Sequence, residues 1–179
     1  YNAFYLREIQ NKIQKINSYY KIMPQTIIYD YGTKACGLAF ELGIDADLKI
    51  AHQKSFFQLN HFQLGILPSS GTVETLSLCS NQSTVKNLLL LNKKMTAKFC
   101  ENIGFISQIY KTENEQKTIS TILETISKSS QVSIAQFKMT ATLQNKSLKS
   151  INQDEQVKNA TYIIEDWKEP SNFMPLKSF

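Results

Sequence analysis

Apolar positions along this chain switch between a helical period and short strand-like runs. Leu6, Ile9, Ile13, Ile16 and Tyr20 fall on one helical face, which predicts an amphipathic helix over Ala3 to Lys21 ended by Met23–Pro24. Gln25 to Asp30 (QTIIYD) is β-branched and aromatic and reads as a buried strand running into a turn at Gly32 to Gly37. A short helix is expected over Gly37 to Leu42, then a strand from Asp47 to His52 and another near Ser55 to Gln58. Pro68 to Gly71 forms a loop in which Ser70 or Gly71 caps a helix over Thr72 to Cys79.

Further helices follow over Ser83 to Leu91 and Thr96 to Asn102, the latter stopped by Gly104, and Phe105 to Tyr110 is a strand. From Glu113 onward the pattern is helical: Glu113 to Ser129, Ser133 to Leu143 and Asp154 to Lys168, before an extended tail with two prolines. Strands alternate with helices in the first part and helices fill the second. The class is therefore α/β with a helical C-terminal section.

Composition bounds this picture without altering it. The 42% apolar and 11% aromatic content over 179 residues suits one folded domain with a true core. The longest apolar run, Leu88 to Leu91, is far too short to span a bilayer. YNAFYLREIQ has neither the apolar region nor the cleavage site of a secretory signal, and a first residue other than Met suggests a processed or partial chain.

The formal charge of +5 comes almost wholly from lysine, because Arg7 is the only arginine. Lysines are scattered among acids, with Lys93–Lys94 the one tight doublet, and this argues for a solvated basic surface and against nucleic-acid readout. Cys36, Cys79 and Cys100 are odd in number and far apart, which points to a reducing compartment and away from zinc. His52 and His61 have no cysteine or carboxylate at ligand spacing, so no metal is expected.

The stretch richest in chemistry is Tyr31 to Leu76. A strand entering a glycine turn and then a short helix carrying Glu41 can aim backbone N–H groups and a carboxylate at one point, the geometry of an oxyanion site. Glu41 is the candidate acid or base there, provided burial raises its pKa. The plainer role is a glutamate in the first turn of a helix, favoured by the dipole. His61 is a second candidate acid or base, since imidazole as a class titrates near neutrality, or it simply occupies a site under no chemical demand. Asp45 and Asp47 read as turn and capping residues, and Cys36, with no paired base, as a buried thiol.

Four segments in order carry a resemblance to the crotonase superfamily, the enoyl-CoA hydratase and isomerase family. They are MPQTIIYDYG, CGLAFELGIDADLKIA, FFQLNHFQLGILPSSGTVETL and LLLLNKKMTAKFCENIGFISQIY. The first resembles the strand that enters the active-site turn, and the second the family's glycines, Glu–Leu and Asp-opened strand. The third is similar to its Phe–Gly–x–Pro–Glu loop and following helix, and the fourth to its Leu–Thr–Gly–Lys segment and Gly–Leu–Val strand. The resemblance runs from Phe4 to Asn145 and continues more faintly through DEQVKNATYIIEDWKEPSNF.

The resemblance implies a ClpP/crotonase ββα spiral core, truncated at the N-terminus, with residues 1–110 its C-terminal half. Residues 111–179 become the helical section used for oligomerisation in the same structural unit. It implies an oxyanion donor at the Leu38 N–H, with Gly37 before it, a first catalytic glutamate at Glu41 and a second at the position of His61. Asn60 stands for the neighbouring proline and Gln58 for the glycine after the phenylalanine. The family's Ala–x–x–Gly–Ala–Asp stretch, which carries the first donor and much of the adenine contact, has no match. It is expected upstream of Tyr1, on another chain, or lost.

The implied ligand is a coenzyme A thioester, with no other cofactor. Hydration needs two carboxylates, and here only Glu41 remains. The expected function is a catalytically degenerate hydratase/isomerase-like protein serving as a structural or assembly subunit of a trimer-type or larger oligomer. The alternative is an active acyl-CoA hydratase or enoyl-CoA isomerase using Glu41. Either would work in a reducing compartment, the mitochondrial matrix or the cytoplasm. Trp167 and Phe173 are expected to pack in the core or at an interface.

Overall fold

The chain passes back and forth between two small sheets, and this alternation places the site. The computed structural model describes residues 3–147; the expected helix Asp154 to Lys168, the tail, Trp167 and Phe173 lie outside the described residues. The chain divides into two units, residues 1–135 and 136–179. The first unit carries both sheets. Of the second, only the end of the last described helix is seen.

Helix α1 (Ala3–Ile22) leads into β1 (Ile28–Asp30), β2 (Lys34–Cys36), α2 (Leu38–Glu41), β3 (Leu48–His52) and β4 (Phe56–Gln58). Helices α3 (Thr72–Cys79) and α4 (Gln82–Leu90), strand β5 (Lys94–Thr96), helix α5 (Ala97–Asn102) and strand β6 (Gln108–Tyr110) complete the core. Helices α6 (Glu115–Ser127) and α7 (Gln131–Ser147) follow. Strands β1, β3 and β6 form a parallel sheet in the order β1-β3-β6, and β2, β4 and β5 form a second in the order β2-β4-β5, with β5 antiparallel. The first two passes each lay one strand in each sheet; the third adds β5 to the second sheet and crosses through α5 to β6 in the first.

Three expectations change at residue level. Ile16 is 38% exposed while Asn17 is 1% exposed, so the packed face of α1 runs through Ile13 and Asn17. The expected turn Gly32 to Gly37 contains β2, and Lys94 to Thr96 adds β5; both have only three residues, too few for a period to register. Phe105 and Ile106 are buried, but the last strand starts only at Gln108.

Caps set several boundaries. The side chain of Thr96 accepts from the Phe99 N–H at 3.1 Å, so α5 starts one residue later than expected. Gly71 is the N-cap of α3 with φ 73° and contributes no side-chain bond. Asp47 accepts from the Ile27 N–H at 2.7 Å, tying the start of β3 to that of β1, and Asp45 pairs with Lys21 at 2.9 Å.

The core fills the space between the sheets and α3 to α5. Phe40, Phe57, Leu59 and Leu76 are fully buried, each contributing about 1.5–3 kcal/mol of transfer free energy. Phe40 stacks on Phe105 at 4.9 Å between centroids, and Tyr31 packs edge-on to Phe57 at 5.3 Å. The Tyr31 hydroxyl donates to the Phe40 carbonyl at 2.9 Å, so the one polar atom in this aromatic cluster is satisfied. Helix α2, and with it Glu41, is thereby seated on a rigid floor.

Candidate functional site

Helix α2 is a single turn, and the backbone before it explains its position. Gly37 has φ 53° and ψ −121°, a conformation an L side chain resists, and an added Cβ would stand 2.6 Å from Asn60 Oδ1. Its N–H donates to the Gln58 carbonyl at 2.9 Å and so belongs to the β2–β4 pairing. Leu38 is the first helical residue, where an N–H has no intrahelical acceptor. Of the two residues expected at an oxyanion site, Gly37 shapes the turn and Leu38 opens the helix.

Glu41 closes α2 and is 0% exposed. Its Oε1 accepts from the Ser69 N–H and from Thr72 Oγ1 at 3.1 Å, and its Oε2 accepts from Ser69 Oγ. His61 is also 0% exposed, and its Nε2 lies 3.2 Å from Glu41 Oε1. That contact is within ion-pair distance but is not aligned as a hydrogen bond, and His61 Nδ1 meets no partner. Nε2 is the ring nitrogen that faces the carboxylate. The fold therefore brings together Glu41 and His61, which lie twenty positions apart in sequence.

Three donors bond to this carboxylate, which has roughly four lone-pair sites, and His61 Nε2 stands beside it. Burial pushes the Glu41 carboxyl up, and this is the largest single effect. His61 and the two Ser69 donors together outweigh it, so the group is held below the usual glutamate value. Proton transfer near neutrality calls for a carboxyl pKa that rises. At Glu41 the balance runs the other way.

Ser69, Thr72 and Asn17 escaped notice as site residues. Asn17 Nδ2 donates to the Glu41 carbonyl at 2.8 Å, anchoring α2 to α1. The signal for Asn17 was a polar residue four positions after Ile13, on the buried stripe. Ser69 and Thr72 flank Gly71 in a tight loop after Pro68, and Thr72 Oγ1 also donates to the Ser69 carbonyl at 2.8 Å. Nothing in their spacing pointed toward Glu41.

Cys36, Cys79 and Cys100 are free thiols, with Cys36 half-buried in β2. Among the described residues, no three His, Cys, Asp or Glu side chains cluster to hold a metal. None of the described helices is long and apolar enough to cross a membrane.

A family model described as Enoyl-CoA hydratase/isomerase matches residues 8–174. The chain belongs to the enoyl-CoA hydratase/isomerase family. The mitochondrial Delta(3,5)-Delta(2,4)-dienoyl-CoA isomerase of Mus musculus is 26% identical over 113 residues, covering 63% of this chain and 35% of that protein. The chain thus spans about a third of that relative's length. A solved enoyl-CoA hydratase/isomerase from Cupriavidus metallidurans CH34 superposes with a TM-score of 0.70 at 17% identity, covering 96% of this chain and 63% of the other. A structure from Thermobifida fusca YX in complex with acetoacetyl-CoA has a TM-score of 0.69 at 12% identity, covering 93% and 64%. At these identities the solved structures speak for the fold alone, and that fold is the α/β crotonase-like one. The enoyl-CoA hydratase/isomerase fold accounts for the alternation between two sheets.

Proposed function

We propose that this chain is a catalytically degenerate enoyl-CoA hydratase/isomerase-like protein that acts as a structural or assembly subunit of a larger complex. The observation that carries this reading is the burial of Glu41 and its three hydrogen bonds to Ser69 and Thr72. A general base needs a free lone pair facing its substrate, whereas this carboxylate is buried and held by Ser69, Thr72 and His61. His61 stands where the family resemblance places the second glutamate, so two carboxylates are not available to position and activate water. The pair then serves as an internal brace joining α2 to the loop before α3.

The expected partners are copies of this chain or other subunits, in trimer-type packing or a larger assembly. A coenzyme A thioester, the class of ligand held by the Thermobifida fusca relative, remains a candidate ligand with the Leu38 N–H at its carbonyl. The mitochondrial matrix or the cytoplasm is the proposed setting.

A second reading is favoured by the 3.2 Å approach of His61 to Glu41, which could relay a proton. In it the protein is an acyl-CoA hydratase or enoyl-CoA isomerase with Glu41 as acid or base, and the rest of its site comes from upstream sequence or a partner chain. Turnover of crotonyl-CoA and a 3-enoyl-CoA by the full-length protein decides between them, with Glu41→Gln as control and circular dichroism to verify folding. The structural role expects no turnover and co-purification with a stable assembly. Turnover that disappears in a folded Glu41→Gln protein overturns it.

A further inference from the structure

A groove of about 250 Å³ lies away from Glu41, between α4, β5 and α5. Leu88, Met95 and Phe99 supply its apolar part, and Thr84, Asn87, Lys93 and Lys94 its polar part, with no acidic side chain in the lining. Neither lysine takes part in the ion pairs Lys21–Asp45, His61–Glu41, Lys98–Glu101 and Lys128–Glu124. Lys94 Nζ lies 4.8 Å from the centre of the Phe56 ring, and Lys34 Nζ lies 5.6 Å from the same ring. Cations are therefore gathered at this edge of the second sheet beside a groove whose lining holds no acid, an arrangement that suits an anion.

The backbone holds the lysines in place. Just past the end of α4, Asn92 takes φ 48°, the Asn92 N–H donating to the Leu89 carbonyl at 3.4 Å and the Lys93 N–H to the Leu88 carbonyl at 3.1 Å. Gln58 Nε2 donates to the Asn92 carbonyl at 3.0 Å, fastening this turn to β4. Lysines after a helix also complement its dipole, but that effect needs neither an acid-free groove nor a second tie to the sheet.

We propose that this groove binds a phosphate monoester carried on a small apolar or aromatic body. Phosphate fits better than carboxylate because it brings up to two negative charges and three acceptor oxygens to two ammonium groups, a hydroxyl and an amide. The volume lies below the roughly 300–1,000 Å³ of sites for drug-sized ligands, so the groove takes a small ester or the end of a larger one.

The test is amide NMR titration of the full chain with phenyl phosphate, benzoate, benzyl alcohol and adenosine monophosphate. Saturable shifts centred on Thr84, Asn87, Lys93, Lys94 and Phe99 are expected with phenyl phosphate, and affinity at least tenfold weaker in Lys93→Met/Lys94→Met. These exposed substitutions keep the apolar stems, and Lys128→Met is the matched control that leaves binding unchanged. Adenosine monophosphate binding more tightly than phenyl phosphate assigns the group to a larger carrier, and weaker binding assigns it to a small ester. Benzoate or benzyl alcohol binding as tightly as phenyl phosphate overturns the proposal. So do an absence of saturable shifts and a double variant that binds like the parent.

Discussion

Ser69 holds both oxygens of Glu41, its N–H meeting Oε1 and its hydroxyl meeting Oε2 at 2.5 Å. One residue of the loop before α3 thus clasps the end of α2 across 28 positions of sequence. A buried charge survives only when its partners replace the lost water, and here they are provided by one loop.

Glu41→Gln is therefore expected to be costly. It replaces an acceptor-only group by one whose amide faces donors, and loss of roughly 3–5 kcal/mol follows from breaking a buried charged cluster on one side. Ser69→Ala removes the hydroxyl but keeps the N–H, and a smaller loss of about 1.5–3 kcal/mol is expected. Urea unfolding monitored by circular dichroism ranks the two. Equal stability of Glu41→Gln and the parent protein would contradict the clasp.

The acid limb of stability carries the same signature. Glu41 is held below its usual value in the folded chain, so its contribution is complete above the ordinary carboxyl range near about 4.3 and is lost as pH falls through the folded value. Asp45 works oppositely: burial, against the pull of Lys21 and Lys49, raises its carboxyl, and its cost fades as pH falls. Comparing parent with Glu41→Gln cancels Asp45. The stability difference is expected to shrink below about pH 4, near the ordinary carboxyl value. A difference that stays constant through the acid range would remove Glu41 as its source.

Two glycines should resist alanine for separate reasons. At Gly37 the positive φ and the Asn60 contact at 2.6 Å act together, and a loss of about 1–3 kcal/mol is expected. At Gly43 the backbone is ordinary, but the new methyl would meet the Tyr29 ring at 2.3 Å, a clash worth about 1–3 kcal/mol. Relief of Gly43→Ala by Tyr29→Leu, against only partial relief of Gly37→Ala by Asn60→Ala, separates crowding from backbone strain in thermal melts.

Thiol chemistry should be graded by burial. Burial, with Cys79 adding to it, pushes the Cys100 thiol up to about 12, and Cys79 is also raised by burial, partly offset by Lys49. Iodoacetamide at neutral pH is expected to modify half-buried Cys36 and Cys79 before Cys100, which reacts only when the domain opens. Peptide mass spectrometry over a time course reads the order, and early labelling of Cys100 would contradict its place in the core.

Sequence periodicity located every described helix of more than one turn, because apolar spacing survives in any helix long enough to repeat. Helix α3 was placed at both ends, Thr72 and Cys79, since the Pro68–Gly71 loop bounds it. The family resemblance rested on segments whose spacing is local, the turn into Glu41 and the loop around Pro68. Strands β2 and β5 were missed, since three residues hold no period and their pairing with β4 lies far along the chain.

Local order along the chain thus determined the α/β class, the helices and the family. The surroundings of the Glu41 carboxylate were decided only by the fold. Its protonation balance depends on burial, His61 and Ser69, Thr72 adds a hydrogen bond, and Asn17 anchors its backbone. Hydrogen bonds and burial depend on distance in space, and no pattern of neighbours in sequence records that distance.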